Sequence, residues 1–319
     1  MDVGQAGLTV VRPGLLSTVQ DLGRWGSQSL GVPVSGAMDT YAHRLANALV
    51  GNPDTAATIE VTLLGPELRA ERALVAAVAG AEFALTVDGR PVAHQTMFAL
   101  EPGATLRFGR RHADSRAYLA VAGGIDTPPV LGSRSTHVLS GMGGVAGRAL
   151  VSGDALPVGR VSWSVTPRAA IRFRRFDAGA TPVLRVMLGP QDTRFSRPSI
   201  EALLHEIVRV SPQSNRMGFR LEGPVLTTVA AEVPLSEPVP FGAIQVPAGG
   251  APILLMADRQ TAGGYPKIAT VITADLPLAG QLGPGDELRF TSCTRAEARH
   301  ALIARERELL RAIPDGVDA

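Results

Sequence analysis

The run LEPGATLRF from Leu100 to Phe108 returns as LGPGDELRF from Leu282 to Phe290, with Pro, Gly, Leu, Arg and Phe in the same register. A Gly-Pro-x-Leu step precedes each copy, at Gly65 to Leu68 and at Gly223 to Leu226. Further upstream, LTVVRPG (Leu8 to Gly14) is loosely matched by LRVMLGP (Leu184 to Pro190). One such match is an ordinary turn-to-strand phrase; matches in the same order favour two related β-rich units in tandem. The expected junction lies around Arg160 to Thr181, where strand signal weakens and arginine and proline gather, dividing the chain into domains 1–165 and 166–319.

The rest of the chain fits strands joined by tight turns. It has 35 Gly and 24 Pro in 319 residues, and these punctuate short runs rich in Val, Leu, Ile and Thr. Runs of strand length are Leu8 to Val11, Ala73 to Val78, Arg116 to Val121, Val183 to Leu188, Ile253 to Met256 and Ile268 to Thr273. Helices are few. One is expected from about Ala37 to Val50, with Met38, Tyr41, Leu45 and Leu49 at helical spacing. Another is expected over Pro198 to Val208, and a C-terminal one from Thr294, where Glu297 completes a capping box, until Pro314 stops it.

Composition excludes several function classes. A formal charge of +2 and an aromatic content of 4% leave little for nucleic-acid binding. The arginines at 168, 172, 174 and 175 read as a solvated strand face. Cys293 is the single cysteine, so no internal disulfide and no multi-thiolate zinc site can form. No HExxH or paired-histidine spacing marks a metal site, and no GxSxG elbow, GxGxxG turn or Walker loop occurs. The N-terminus lacks a signal-peptide pattern, and no window approaches the ~20 apolar residues of a membrane span. A cytoplasmic protein with no membrane or nucleic-acid partner is expected.

Lys267 is the one lysine among 31 Lys and Arg residues, in the glycine-rich segment GGYPKIA. Arginine keeps its charge spread over a plane, whereas lysine offers a compact ammonium, so the surviving lysine marks either a position arginine cannot fill or a chance remnant of composition. Upstream, Asp258, Arg259, Gln260 and Thr261 enter a loop after a strand, and Gly263, Gly264 and Tyr265 lead to Lys267. Backbone N–H groups of such a loop can form an anion-binding nest, or the glycines can simply turn a hairpin. A second polar cluster is Gln20, Asp21 and Arg24, followed by the helix bearing Asn47; its plain reading is capping by Ser35 or Asp39 and a local ion pair of Asp21 with Arg24. A third is Arg116, then Gly123 and Gly124, then Ser133, Arg134, Ser135 and Thr136. Arg216, Glu237 and Gln245 complete the set, each individually more consistent with a salt bridge or turn, and Cys293 reads as an incidental thiol.

These blocks together resemble the KipA-type family, also known as the C component of 5-oxoprolinase, the biotin-dependent carboxyltransferase family related to allophanate hydrolase subunit 2. The resemblance runs from Leu8 to Phe290. It rests on TVQDLGR (18–24), GVPVSGAMD (31–39), ANALVGN (46–52), EVTLLGP (60–66), RAYLAVAGG (116–124), LGSRST (131–136), SNRMGFRLEG (214–223), SEPVPFGAIQVPAGGAPI (236–253) and DRQTAGGYPKIATVI (258–272). It implies a mainly β fold of two tandem cyclophilin-like β-barrel domains with a few helices and a C-terminal helix. It also implies a standalone subunit that works with a KipI-like B component and a LamB/YcsF-type A component to open 5-oxo-L-proline to L-glutamate at the expense of ATP, bound somewhere in that complex. An alternative is the carboxyltransferase component of a biotin-dependent urea carboxylase. A third, non-enzymatic role is that of an antagonist of a KipI-like kinase inhibitor. On motif position, the resemblance makes Lys267 and the Gly263–Gly264 backbone the oxyanion or phosphoryl contacts. Asp258 would orient Lys267 or act as base, and Arg24, Asp21 and Asn47 would position the ligand. No metal is expected.

Overall fold

The computed structural model describes residues 6–161, 181–229 and 235–312. Among these, contacts group 6–25, 35–161 and 308–312 into one compact unit and 26–34, 181–229 and 235–307 into another. Arg168 to Arg175 and most of the expected junction lie outside the described residues.

The first unit is built on β1 (Ala6–Arg12), β2 (Leu16–Gln20), β3 (Thr58–Thr62), β4 (Glu67–Ala70), β5 (Leu74–Val87), β6 (Arg90–Pro91), β7 (Met97–Leu100), β8 (Thr105–Val121) and β9 (Ala155–Pro157). They form a nine-stranded sheet with the path β2-β3-β8-β4-β1-β9, β5 pairing with β6, β7 and β8. Strand alternation sorts the long pair β5 and β8 into two faces. Ala76, Val78, Leu119 and Val121 join the main core, whereas Ala77, Ala79, Tyr118 and Ala120 face helix α1 (Thr40–Leu49) and its Ala42, Leu45, Ala46 and Leu49. The alanines on that face let the helix approach closely. The helix starts later than the apolar spacing predicts, because Asp39 caps it: its carboxylate accepts the Ala42 N–H at 2.9 Å.

The second unit comprises β10 (Val183–Leu188), β11 (Val208–Val210), β12 (Gly218–Glu222), β13 (Glu237–Pro238), β14 (Ala243–Gln245), β15 (Ile253–Leu255), β16 (Ala262–Gly263), β17 (Lys267–Val271) and β18 (Glu287–Ser292). Seven of them close a barrel in the order β10-β17-β14-β15-β12-β11-β18, and β13 with β16 makes a separate short ribbon. Buried positions alternate along the barrel strands, with Leu184, Val186, Val208, Val210, Phe219, Leu221, Leu288 and Phe290 removed from solvent. Helix α2 (Arg197–His205) stops three residues short of the expected end, since Val208 opens β11; α3 (Leu276–Gly280) is a short turn. Helix α4 (Arg295–Ala312) begins with the expected capping box: Thr294 N–H donates to the Glu297 carboxylate at 2.7 Å and Glu297 N–H to Thr294 Oγ1 at 3.2 Å. The mainly β architecture with a C-terminal helix is therefore borne out, the second unit being a closed barrel and the first a half-barrel.

The sequence echo has a physical counterpart. Gly103 and Gly285 both take positive φ, 85° and 90°, and each N–H is bonded at 2.7 Å, to Ala70 O and Val210 O respectively. The following Leu106, Phe108, Leu288 and Phe290 are all buried. The other two echoes do not share this equivalence. Leu68 lies in β4 but Leu226 lies in no strand, and β1 pairs with β4 and β9 antiparallel whereas β10 runs parallel to β18. Among the described residues no helix is long and apolar enough to cross a membrane.

Gly80, within β5, has φ 97°, and a Cβ there would meet Arg116 O at 2.4 Å, next to the register shift between Gly80 and Glu82. Gly80→Ala should lower stability by about 1–3 kcal/mol, read as a reduced urea midpoint at unchanged slope.

Candidate functional site

In the second unit the ladder between β10 and β17 ends with Leu188 opposite Ala269 and continues past the strands: Gly189 N–H donates to Ile268 O at 3.0 Å and Gln191 N–H to Lys267 O at 3.3 Å. Gln191 also accepts the Lys267 N–H on its side-chain Oε1 at 2.8 Å. Lys267, the first residue of β17, is thus fixed to the chain that follows β10. Its side chain is 3% exposed, and its Nζ lies 3.2 Å from Glu237 Oε2, whose side chain is 46% exposed. The contact is electrostatic only. The buried Nζ makes no directed hydrogen bond among the described residues, so its N–H donors are unused. Lysine offers a compact point charge at this enclosed position, where arginine would present a planar fork.

Polar side chains surround the pair. Gln191 Nε2 donates to Glu237 Oε2 at 3.1 Å, Gln260 Nε2 to Gln245 Oε1 at 3.1 Å, and Gln245 Nε2 to Tyr265 O at 3.4 Å. Gly263 stands opposite Glu237 in the short ribbon, and a Cβ on it would come within 2.9 Å of Gln245 Nε2 and 3.1 Å of Gln260 Nε2. Gly263 ends the two-residue strand β16 and Gly264 follows it outside any strand, and neither takes the left-handed conformation of the expected anion-binding nest. Thr261 is likewise tied into the backbone, its carbonyl accepting Val239 N–H at 3.0 Å.

Asp258 has a different partner from the one expected. Both its oxygens are bonded by buried Arg216, Nε to Oδ2 at 2.9 Å and Nη2 to Oδ1 at 3.1 Å, while the carboxylate beside Lys267 is Glu237. A bidentate, buried ion pair is a structural element, and it leaves Asp258 poorly placed to act as a base. Neighbouring Arg259 donates from Nε to Val239 O at 2.9 Å and lies 5.4 Å from the centroid of the Phe241 ring. Burial pushes its guanidinium down to about 10, with the Asp258 charge opposing, so it stays protonated at neutral pH. Cys293 is half-buried, and burial raises its thiol, in keeping with an inert residue.

In the first unit the structure brings Gln20, Asp21, Arg24, Ser133, Arg134, Ser135 and Thr136 into one network. The Asp21 carboxylate accepts from Ser133 Oγ at 2.6 Å, Ser135 Oγ at 2.5 Å, Arg134 N–H at 2.6 Å and Gly23 N–H at 2.8 Å. Burial opposes its charge, but these donors outweigh burial and hold its carboxyl below the ordinary range. Arg24 Nη2 donates to Ser135 O at 2.6 Å, and Gln20 Nε2 to Thr18 Oγ1 and Thr136 O, each at 3.0 Å. The TVQDLGR and LGSRST blocks therefore lock to each other. Asn47 belongs to another network: its Nδ2 donates to Ala56 O at 2.8 Å and its Oδ1 accepts from Asn52 at 3.0 Å, while Asn52 Oδ1 holds Gly123 N–H at 2.9 Å. Arg116 is buried in β8, where Thr62 stands opposite it. Among the described residues no group of three or more His, Cys, Asp and Glu is placed to hold a metal.

The profile described as "Carboxyltransferase domain, subdomain A and B" matches residues 30–292. This chain belongs to the carboxyltransferase-domain family. It is 38% identical to the C subunit of 5-oxoprolinase from Escherichia coli (strain K12) over 92% of this chain and 94% of that protein. It is 35% identical to the C subunit of 5-oxoprolinase from Haemophilus influenzae over 92% of this chain and 93% of that one. Among solved structures, the urea amidolyase of K. lactis matches 100% of this chain and 21% of its own, with a TM-score of 0.89 and 30% identity.

In this carboxyltransferase-domain chain the partner of Glu237 and the place of Gln191 beside Lys267 escape sequence reasoning. Glu237 reads as a salt-bridge residue in the sequence, and its partner is the lone lysine, 30 positions along the chain. Gln191 carries only a weak signal, a polar residue directly after the Leu184 to Pro190 echo of the first unit.

Two expectations follow for the buried groups. Removing the Asp258 carboxylate strands the Arg216 charge, so Asp258→Ala should cost about 3–5 kcal/mol, measured by denaturant unfolding. His43 is fully buried, with Nδ1 2.9 Å from Thr58 Oγ1 and Nε2 3.0 Å from Asp54 O. Burial lowers its affinity for a proton below the ordinary 6.5, against the opposing pull of Asp54, Asp21 and Glu60. Burial also lowers His94. Below about 6.5 the unfolded chain therefore takes up protons first, and stability falls from there until pH reaches the lowered folded-state values. The thermal midpoint should drop between pH 7 and pH 5, and His43→Gln should flatten that slope without abolishing it, His94 remaining.

Proposed function

We propose that this chain is the C component of an ATP-dependent 5-oxoprolinase, opening 5-oxo-L-proline to L-glutamate in the cytoplasm with a KipI-like B component and a LamB/YcsF-type A component. The observation that carries this reading is the buried Lys267 ammonium with unused donors. When a nucleophile adds to the lactam carbonyl, negative charge grows on its oxygen. A desolvated, prepositioned ammonium stabilises it, an effect worth about 10²–10³-fold in rate. The likeness to the C subunit of 5-oxoprolinase over nearly the whole length of both chains supports the same substrate.

ATP enters as a co-substrate of the complex. The Glu237 carboxylate beside the ammonium suits a neutral amide carbonyl better than a triphosphate, so the lactam and not the nucleotide is assigned to Lys267. Lys267 lowers the barrier at the carbonyl oxygen, and the buried Arg216–Asp258 pair holds the start of the loop between β15 and β16.

The match to urea amidolyase over the full chain favours a second reading, carboxyl transfer from carboxybiotin to urea at the same site, where the ureido oxygen takes the place of the lactam oxygen. Both are tested with the reconstituted complex. With 5-oxoproline and ATP, Lys267→Met should reduce kcat by about 10²–10³-fold while the components still co-elute. Full activity in that variant would overturn the assignment, and turnover of urea with carboxybiotin but not of 5-oxoproline would establish the second reading.

A further inference from the structure

Glu237 Oε2 is approached by two donors at once, Lys267 Nζ at 3.2 Å and Gln191 Nε2 at 3.1 Å. No donor is directed at its other oxygen, Oε1, among the described residues, and the side chain is half-exposed. Gln191 cannot drift relative to Lys267, because its backbone N–H bonds Lys267 O and its Oε1 accepts Lys267 N–H at 2.8 Å. On the other side, the ribbon places Glu237 opposite Gly263. The carboxylate is therefore held by one oxygen and presents the other next to an ammonium with unused donors.

We propose that Glu237 is a specificity-determining residue that accepts the N–H of the ligand through Oε1, and that Gln191 is the positioning residue that aims it. A donor and an acceptor side by side read a carbonyl and an N–H lying on the same edge of a molecule. Lactams and ureas present that edge, whereas a trans peptide bond puts its C=O and N–H on opposite sides. The site thus selects cis-amide and ureido compounds, with the carbonyl oxygen to Lys267 and the adjacent N–H to Glu237. Gln260 Nε2 donates to Gln245 Oε1 and Gln245 Nε2 to Tyr265 O, so the amide N–H donors beside the pair are directed away from that edge. The proposal rests on the lactam reading of the same site.

The test uses the reconstituted complex and two ligands, 5-oxoproline and the corresponding lactone acid, in which a ring oxygen replaces the N–H. Competition binding should show the unaltered complex preferring the lactam by about ten- to a hundredfold, the loss expected when a charged acceptor is left without its donor. Glu237→Ala should bind the two within about threefold of each other, and Gln191→Ala should narrow the preference while Lys267→Met retains it. The ratio is insensitive to general destabilisation, and Gln191→Ala serves should Glu237→Ala not fold. A preference unchanged in both Glu237→Ala and Gln191→Ala, or absent from the unaltered complex, overturns the proposal and leaves the lactam reading standing. Failure of the unaltered complex to bind either ligand overturns the lactam reading and this proposal with it.

Discussion

Closure of the second barrel by β10 is the constraint on which the candidate site depends. This strand runs parallel to β18, with Leu184 opposite Phe290, and antiparallel to β17, with Leu188 opposite Ala269. Burial of Leu184, Val186, Ile268 and Phe290 fixes the registers, because a one-residue slip would turn each strand's apolar face outward. Once the register is set, the ladder must end at Lys267, and the residues beyond β10 must run alongside it. Hydrophobic closure at one end of the strand pair thus determines the placement of a charged group at the other.

Both units saturate buried carboxylates. In the first, Asp21 is saturated by hydroxyl and backbone donors, and Glu60 Oε2 accepts from Met38 N–H at 2.9 Å and Tyr118 OH at 2.7 Å. Carboxylates engaged in this way stabilise loops that strand pairing alone would leave open. In the second unit Arg216 and Asp258 behave likewise, but Lys267 retains donors without directed acceptors. The proposed chemistry rests on Lys267, whose buried donor is destabilising unless a ligand offsets it.

The polar loops show how far local sequence carries. The caps of α1 and α4 are legible because capping acts within three residues: Asp39 on Ala42, Thr294 on Glu297. The turn shared by Gly103 and Gly285 is legible for the same reason. Asp21, by contrast, reads as the partner of nearby Arg24, and its observed donors Ser133 and Ser135 lie more than a hundred residues away. Asp258 reads as a partner of Lys267 through nearness in the chain, and strand β12 brings Arg216 instead.

By itself the sequence determined that this chain is mainly β, that a Pro-Gly turn recurs ahead of a buried strand in each half, and that one lysine stands apart from the arginines. Those properties arise from residue type and short spacing. Only the tertiary structure decided that Lys267 faces Glu237 and that Gln191 ties them together, since these contacts depend on which strands become neighbours when the barrel closes, and separations of 30 and 76 residues carry no local signal.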